Sequence, residues 1–339
     1  HRDLHSFPPR RSSDLAGGAG AGNPFGTTAL NSVRFRDGST FYQGGTTSGP
    51  SASAGSNPFG ATAPNSVVIF DADSTYHNFS SVLAASGRTY GHIIQDNRAN
   101  AISVGGSSTW VVQGNLVVKS TSTGNINLDG TANPILVVHG DLVVEPGGFF
   151  NDTSGGNDPT FPIPSHIEVR GNVHMSGPNA SMNPLNNRRL ILNGSTRQDL
   201  ATPDLTLRGT VLDNPAGFRL VGDVRLSSIF DLKNGVVDTN GHSVWHTVDG
   251  NDVTQTNGYV LGTMKRYFDR AIASPRFFPM GANGIPTPVR VGYSTVPAQS
   301  GYVSVETVEG DHPDSRDMAH SLDYYCRIST PGLTGYVGT

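Results

Sequence analysis

Residues 135–144 read Ile135-Leu136-Val137-Val138-His139-Gly140-Asp141-Leu142-Val143-Val144, with a short apolar run on either side of a glycine. Leu136 and Val138 stand four and two residues before Gly140, and Leu142 stands two residues after it. This period of two is what a β-strand with one buried face requires, because successive side chains point to opposite faces. A glycine in phase with the buried side permits a bend or a close backbone approach. The stretch therefore predicts strands that run up to and away from Gly140.

Six segments of the chain align in this way on a glycine. The glycines are Gly114, Gly140, Gly171, Gly194, Gly209 and Gly222. The residues two and four positions before each glycine are apolar, and the residue after it is short and polar. Spacings of 26, 31 and 23 residues suit one coil of a β-solenoid each, whereas the last two, 15 and 13, suggest successive strands or a change of architecture. We predict an all-β fold with β-solenoid (β-helix-like) repeats; an ordinary antiparallel sandwich, which alternates in the same way, is the alternative.

A second repeat precedes the solenoid. The sequence of residues 23–33, which begins Asn-Pro-Phe-Gly, recurs with few changes at residues 57–67, an offset of 34 residues. Each copy continues into a β-rich run, so each is predicted to be a turn followed by paired strands. We assign residues 16–100 to a Gly/Ser-rich lead-in that carries this duplicated strand repeat, and residues 101–256 to the β-solenoid.

Residues 257–330 carry evenly spaced strand candidates separated by turn signals such as Asn283-Gly284. That pattern predicts a small β-sandwich module after the solenoid. The chain stops at Thr339 with no closing element, so residues 331–339 read as a truncated tail.

The opening of the chain differs from the rest. Residues 1–15 show no apolar period and resemble a translated sequencing-adapter sequence, with Pro9 where the common reading has threonine. We set them aside as an artefact, expect them to be disordered, and expect the native N-terminus to be missing.

Composition narrows the class of protein. Of 339 residues, 15 % are charged and 42 are glycine, which favours short strands separated by turns. The net charge of −4 provides no basic stripe, so nucleic acid is not an expected partner. No apolar run approaches the roughly 20 residues that a membrane-spanning helix needs, so no transmembrane segment is predicted. The single cysteine, Cys326, excludes an internal disulfide framework, and we predict that it is a small buried hydrophobe.

A series of short motifs runs along the chain at residues 57–70, 87–90, 234–242, 258–262, 266 and 277–281. In their order these motifs resemble those of large surface proteins exported by the type IX secretion system of Gram-negative bacteria. The resemblance covers about residues 23–328, and the family's C-terminal sorting domain is absent from the chain. It implies a secreted protein, located outside the cell or on the outer surface of a Gram-negative bacterium.

The common enzyme signatures are missing from the sequence: it has no Gly-x-Ser-x-Gly, His-Glu-x-x-His, Walker or Cys-x-x-Cys motif. The enzymatic alternative is a polysaccharide-lyase-like β-helix, which would gather histidines, cations and acids on one outward ladder. The outward positions beside the aligned glycines include His139, Arg170 and His174. Polar residues are also what the solvent face of any strand carries. We therefore predict no catalytic residues and keep these three as candidate ligand-binding positions.

Aromatic residues are the usual platforms for sugars, because a flat ring stacks on a pyranose. Phe149 and Phe150, in a loop beyond a Pro-Gly-Gly turn, are the best candidates for sugar contact. Trp245 is ambiguous between core and surface, whereas Trp110 falls on the inward register and is predicted to be core.

Three acidic loops offer oxygen atoms of the kind that calcium binds: residues 71–73, 157–158 and 249–252. None has the spacing of a calcium loop, and Asp, Asn and Gly are also the favoured turn formers. No metal or other cofactor is therefore predicted.

Together these features predict a non-catalytic structural or adhesive segment of a secreted bacterial surface protein. Its repeats would hold a functional head away from the cell, and its expected partners are extracellular glycans or other surface proteins. The alternative is a glycan-binding or polysaccharide-lyase-like β-helix, which would show a groove with converging His, Arg and Asp.

Overall fold

The computed structural model describes residues 2–3, 33–43, 68–78, 89–96, 102–103, 109–119, 126–127, 135–150, 166–175, 181–182, 189–207, 209–250, 253–272, 275–316, 321–334 and 337–338. Strands, turns and bends make up this described part, which contains no helix and hence none that could span a membrane. The predicted all-β class and the β-solenoid are confirmed. The chain divides into two compact units, His1–Arg189 (unit 1) and Leu190–Thr339 (unit 2).

Unit 1 consists of short strands of two to four residues. They are β1 Arg2–Asp3, β2 Val33–Phe35, β3 Thr40–Gln43, β4 Val68–Phe70, β5 Thr75–Asn78, β6 Thr89–Tyr90, β7 His92–Gln95, β8 Ile102–Ser103, β9 Thr109–Val112, β10 Leu116–Val118, β11 Ile126–Asn127, β12 Ile135–Val138, β13 Leu142–Val144, β14 Phe149–Phe150, β15 His166–Val169, β16 Val173–Met175 and β17 Ser181–Met182.

The strands of unit 1 stack in parallel. One sheet has the order β3-β5-β7-β10-β13-β16, and a second has the order β6-β9-β12-β15. From β6 onward each coil contributes a strand to both sheets, as β12 and β13 do on either side of Gly140, whereas β2 and β4 of the first coils pair with each other in a separate sheet. The register is exact: Leu136 lies between Trp110 and Ile167 on the neighbouring coils. The β-rich runs that follow the two copies of the repeat stack in the same way, with Phe35 beside Phe70, so parallel stacking extends into the region assigned to the lead-in.

The interior of unit 1 is formed by the alternating positions that the sequence pattern marks. Val112, Leu136, Val138 and Leu142 have no more than 1 % of their surface exposed. Trp110 is 1 % exposed, so its predicted core position is confirmed. Aromatic rings contact one another along the first coils: Phe35 and Phe70 are stacked with centroids 5.1 Å apart, Phe70 and Tyr90 are tilted at 5.3 Å, and Tyr90 and Trp110 meet edge to face at 6.1 Å.

The corners between the two sheets bring backbones into direct contact. The Gly140 amide donates to the Gly114 carbonyl, and the Gly171 amide donates to the Gly140 carbonyl, both at 3.0 Å. A Cβ on Gly140 would lie 2.7 Å from the Gly114 carbonyl, closer than real Cβ atoms approach. The predicted close approach at these glycines is therefore confirmed.

The polar residue after each corner glycine binds the next coil. The Asp141 amide donates to Oδ1 of Asn115 at 2.9 Å, and the Asn172 amide donates to Oδ1 of Asp141 at 2.7 Å. At the start of this ladder the Asn115 amide donates to Nδ1 of His92 at 2.9 Å. These side chains satisfy backbone amides that the turn leaves unpaired.

Unit 2 has longer strands. They are β18 Arg189–Leu192, β19 Gln198–Leu207, β20 Thr210–Asp213, β21 Phe218–Leu226, β22 Phe230–Asn234, β23 Val236–His246, β24 Val253–Gln255, β25 Tyr259–Phe268, β26 Arg276–Phe278, β27 Gly281–Ala282, β28 Ile285–Pro286, β29 Val289–Val291, β30 Tyr293–Thr295, β31 Gly301–Glu309, β32 Tyr324–Ser329 and β33 Val337–Gly338.

Stacking in unit 2 is parallel at first and then antiparallel. The parallel series are β19-β21-β23-β25 and β18-β20-β22-β24. Strands β31 and β32 extend the first series in antiparallel pairing, and β26 pairs with β29. The change to antiparallel pairing falls inside the 257–330 region predicted as a separate module. Cys326, in β32, is only half-buried, so the prediction that it is buried is wrong.

Two of the six aligned glycines are not corners. Gly209 directly precedes β20, and Gly222 lies inside β21 where the register shifts. The corners that follow Gly194 are instead at Gly217, Gly235 and Gly258, where an added Cβ would meet backbone oxygen at 2.9, 2.0 and 2.9 Å. The short spacings of 15 and 13 residues thus come from a misalignment, because alternation within β19 and β21 imitates the corner pattern.

Val138→Asp is expected to destabilise the protein by several kcal/mol, because it places an unpaired charge at a fully buried position. His139→Asp, one residue further along, changes an exposed side chain and is expected to stay within about 0.5 kcal/mol of the wild type. Denaturant unfolding of both variants measures the difference. Equal losses would contradict the register.

Asp141 offers a test of the corner ladder. Asp141→Ala removes the acceptor of the Asn172 amide and should cost about 1–3 kcal/mol of unfolding free energy. Asp141→Asn keeps an oxygen at that position, as Asn115 does one coil earlier, and should cost much less. If denaturation midpoints of the two variants coincide, the side-chain bond does not stabilise the stack.

Candidate functional site

His139 and Arg170 lie on neighbouring coils of unit 1. Val138 and Val169 are register partners, and the Arg170 amide donates to the Val138 carbonyl at 2.9 Å, so the residues that follow them share one edge. Both side chains are exposed. Partial desolvation by the surrounding protein lowers the pKa of the His139 imidazole from its ordinary 6.5, and the charge of Arg170 lowers it further, while the charge of Glu168 raises it. His139 is therefore neutral at neutral pH.

The other members of the predicted ladder do not form an acid–base pair with His139. His174 is half-buried in β16 opposite Val143, on the other sheet of the coil. Asp141 Oδ1 accepts the Asn172 amide, and Glu168 Oε1 lies 3.1 Å from His166 Nε2. The carboxylates beside this edge thus have structural partners, and the three predicted positions do not converge on one site.

The predicted sugar platform at Phe149 and Phe150 rests on side chains outside the described residues. Of the acidic loops, residues 157–158 and 251–252 are also outside them. Asp71 pairs with Arg34 Nε at 2.6 Å, and Asp249 forms a two-pronged pair with Arg276 that is almost fully buried. The described residues contain no cluster of three or more His, Cys, Asp or Glu that could hold a metal.

Trp245 lies on the solvent side of unit 2. Its neighbours Val244 and His246 are buried, so alternation along β23 directs the indole outward, where it is half-buried. Asp223 orients the ring: its Oδ2 accepts the indole N–H at 3.3 Å, and its Oδ1 accepts the Ser243 amide at 2.8 Å. The structure thus resolves the ambiguity in favour of the surface.

Two cations flank the indole, one from each neighbouring strand. Arg225 of β21 and Lys265 of β25 are the register partners of Trp245. The Arg225 Cζ lies 5.8 Å from the ring centroid and the Lys265 Nζ lies 4.1 Å from it, both within cation–π range. Trp245 therefore fixes two positive charges on the outer face of the sheet.

Two tyrosines complete the surface. Tyr302 of β31 meets Trp245 edge to face at 5.1 Å, and Tyr267 of β25, its register partner, meets Tyr302 edge to face at 5.5 Å. Both rings are half-buried on the outward positions of their strands. We call the set Arg225, Trp245, Lys265, Tyr267 and Tyr302 the aromatic–basic patch.

Of this patch, the sequence analysis kept only Trp245 as a candidate ligand contact. A signal was present, because Arg225, Trp245 and Lys265 are spaced by 20 residues, the length of one coil in this part of the chain. The misplaced corners at Gly209 and Gly222 hid that coil length. Tyr302 could not be found from spacing, because it arrives on an antiparallel strand.

A cleft of about 560 Å³ also lies in unit 2, lined in part by Arg266, Phe277 and Arg290. Arg266 is 1 % exposed and donates to the Phe277 and Gly250 carbonyls. Arg290 lies 5.2 Å over the Phe277 ring. These contacts fasten β25 and β29 to β26, so the cleft reads as part of the packing of this region.

Comparison with known proteins finds no matching family model, no similar curated protein and no similar solved structure. The resemblance to type IX cargo therefore rests on the motifs alone. A fold of this kind hosts unrelated functions, so the inference about function depends on the side chains of the patch.

Arg170→Gln is expected to raise the pKa of His139, because it removes a positive charge that disfavours the imidazolium. The pKa should stay below 6.5, since burial is the larger cause. An NMR titration of the His139 ring measures both changes, with Arg197→Gln in unit 2 as control. Because the folded-state pKa is lowered, the stability gained from neutral His139 is lost as pH falls through it. An unchanged midpoint in Arg170→Gln would contradict the assignment.

Proposed function

We propose that the chain is a non-catalytic structural and adhesive segment of a secreted bacterial surface protein, and that its aromatic–basic patch binds glycans. The solenoid holds the patch away from the cell, and the type IX export route follows from the motif resemblance. The patch is the observation that carries the proposal, because it gathers three aromatic side chains at the surface. The expected location is the outer surface of a Gram-negative cell.

The use of polar groups supports a structural role. In unit 1, Asn115 and Asp141 each accept an amide of the next coil. In unit 2, Asn234 Nδ2 donates to Asp213 Oδ1 at 2.6 Å, and Asn257 Nδ2 donates to Asn234 Oδ1 at 3.1 Å. Polar side chains that an enzyme would direct at a substrate are here bonded between coils, which suits a rigid spacer.

The chemistry of the patch supports adhesion to sugars. Tyrosine and tryptophan combine an apolar ring with a hydrogen-bonding group, the combination that sugar recognition uses. The rings are held by sheet register and edge-to-face contacts, so little conformational entropy is lost when a ligand binds. A surface that is ordered before binding suits an adhesin.

The test combines binding and turnover on purified chain over arrays of neutral and acidic polysaccharides. Trp245→Ala and Tyr302→Ala should each weaken retention about tenfold, the equivalent of about 1.4 kcal/mol. Both positions are half-buried on the outer face, so the thermal midpoint should change little. Tyr42→Ala, which removes an aromatic side chain 53 % exposed in unit 1, is the matched control and should bind as the wild type does.

No release of unsaturated or reducing ends is expected. Undiminished retention by both patch variants would contradict the proposed site. Turnover that disappears in a His139, Arg170 or His174 variant would replace the proposal with the lyase-like alternative.

A further inference from the structure

We propose that the aromatic–basic patch recognises anionic sugars, through carboxylate or sulfate groups that bind between Arg225 and Lys265. This inference rests on the proposed glycan-binding function and specifies the chemistry of its ligand. It depends on three observations: where the cations lie, what neutralises them, and how the nearby carboxylate is used.

The position of the cations limits what Trp245 can do. Strands β21 and β25 lie on opposite sides of β23, so Arg225 and Lys265 approach the indole from opposite sides. A neutral pyranose that stacked on the ring face covered by Lys265, whose Nζ lies 4.1 Å from the centroid, would have to displace that cation. An anionic sugar gains from both, because a cation held by an aromatic ring keeps its charge and its remaining N–H donors.

Among the described residues, no acidic side chain forms an ion pair with either cation of the patch. Three other outward arginines of unit 2 have an acidic partner: Arg219 pairs with Asp199 at 2.5 Å, Arg197 with Asp238 at 2.6 Å and Arg327 with Glu306 at 3.7 Å. Within the described part of the chain, neither Arg225 nor Lys265 forms an ion pair. At these two positions the cation contacts the Trp245 ring instead of a carboxylate.

Asp223 is the carboxylate beside the patch, and both of its oxygens are occupied. They accept the Ser243 amide and the indole N–H, which places the negative charge beside β23 and leaves the patch with two cations against one anion. Asp223 therefore fixes the orientation of the Trp245 ring, and the ring in turn positions Arg225 and Lys265 through cation–π contacts. The guanidinium of Arg225 can bind a carboxylate or sulfate with two parallel N–H donors, and Lys265 adds a point charge.

The charge of the whole chain makes this selective. The formal net charge is −4, so an acidic polymer gains nothing from the protein as a whole. In this proposal the attraction comes from Arg225 and Lys265, and the Tyr267 and Tyr302 rings of the same patch contact the sugar itself. A ligand with both an anionic group and a pyranose ring can contact the cations and the aromatic rings. A polyanion without sugar rings can contact only the cations.

The experiment measures binding of the full chain to polygalacturonate and to the same polymer after methyl esterification, which removes the charge and keeps the rings. Dextran sulfate with dextran forms the second pair and distinguishes sulfate from carboxylate. Polyglutamate, duplex DNA and vesicles of anionic phospholipid supply negative charge without a pyranose chain. The acidic polysaccharides should bind roughly tenfold or more tightly than their neutral partners, and the difference should shrink as sodium chloride is added.

Variants test the two cations directly. Arg225→Gln and Lys265→Gln should each reduce binding of the acidic polymer about tenfold while leaving the weak binding of its neutral partner unchanged. Arg219→Gln is the control, because that guanidinium is already paired with Asp199. Trp245→Phe keeps an aromatic ring and should retain much of the affinity. Unfolding midpoints confirm that each variant is folded.

The outcomes separate this inference from the proposed function. Equal affinity for charged and esterified polymers, with loss of both in Trp245→Ala, would overturn the inference and leave glycan binding standing. Absence of binding to every polysaccharide would overturn both. Equal affinity for polyglutamate, DNA or vesicles would assign the patch to anions in general and overturn recognition of sugars. Binding by Arg225→Gln and Lys265→Gln at the wild-type level would exclude the two cations.

Discussion

Successive coils of unit 1 lie in register because their backbones touch at the corners. The Gly140 amide bonds to the Gly114 carbonyl at 3.0 Å, and a Cβ at Gly140 would come within 2.7 Å of that carbonyl. Any other residue would push the coils apart, and the strands on both sides of the corner would lose their hydrogen bonds. The rows of buried side chains, such as Val112, Val138 and Val169, depend on this spacing, because each row is filled by equivalent positions of adjacent coils.

The same register determines what the outside of the stack can do. Equivalent positions of neighbouring coils become rows, so a contact made once along the chain is repeated across strands. At the corners the rows are short polar residues, and they bond coil to coil. In the middle of the strands, the outward-facing side chains are not needed for hydrogen bonds between coils. The row Arg225, Trp245 and Lys265 joins side chains 20 residues apart into one surface without any loop or insertion.

The all-β class and the solenoid could be predicted because period-two alternation and the spacing of corner glycines are both local in sequence. Unit 2 shows where such reading fails. Its strands are long enough for Leu200 to Leu207 to alternate through a register shift, so an internal stretch of β19 imitates a corner. Its true corners use Gly217 and Gly235 in the left-handed region, at φ of 84° and 93°, whereas the corner glycines Gly114, Gly140 and Gly171 of unit 1 do not have a positive φ. The location of Trp245 followed from neither pattern, since it depends on which strands flank β23.

Whether a polar side chain serves the fold or a ligand depends on what already satisfies it. His139 and Arg170 attract attention from sequence because they face outward on adjacent coils, yet the carboxylates near them, Asp141 and Glu168, are bonded within the stack. Among the described residues near the imidazole, these two carboxylates therefore already have structural partners. Arg225 and Lys265 are in the opposite situation, since an indole ring fixes their positions without cancelling their charge. A surface charge attracts a ligand strongly when its position is fixed by a neutral group, because an opposite charge in contact with it would cancel the attraction. The aromatic–basic patch meets that condition, and the corner ladder does not.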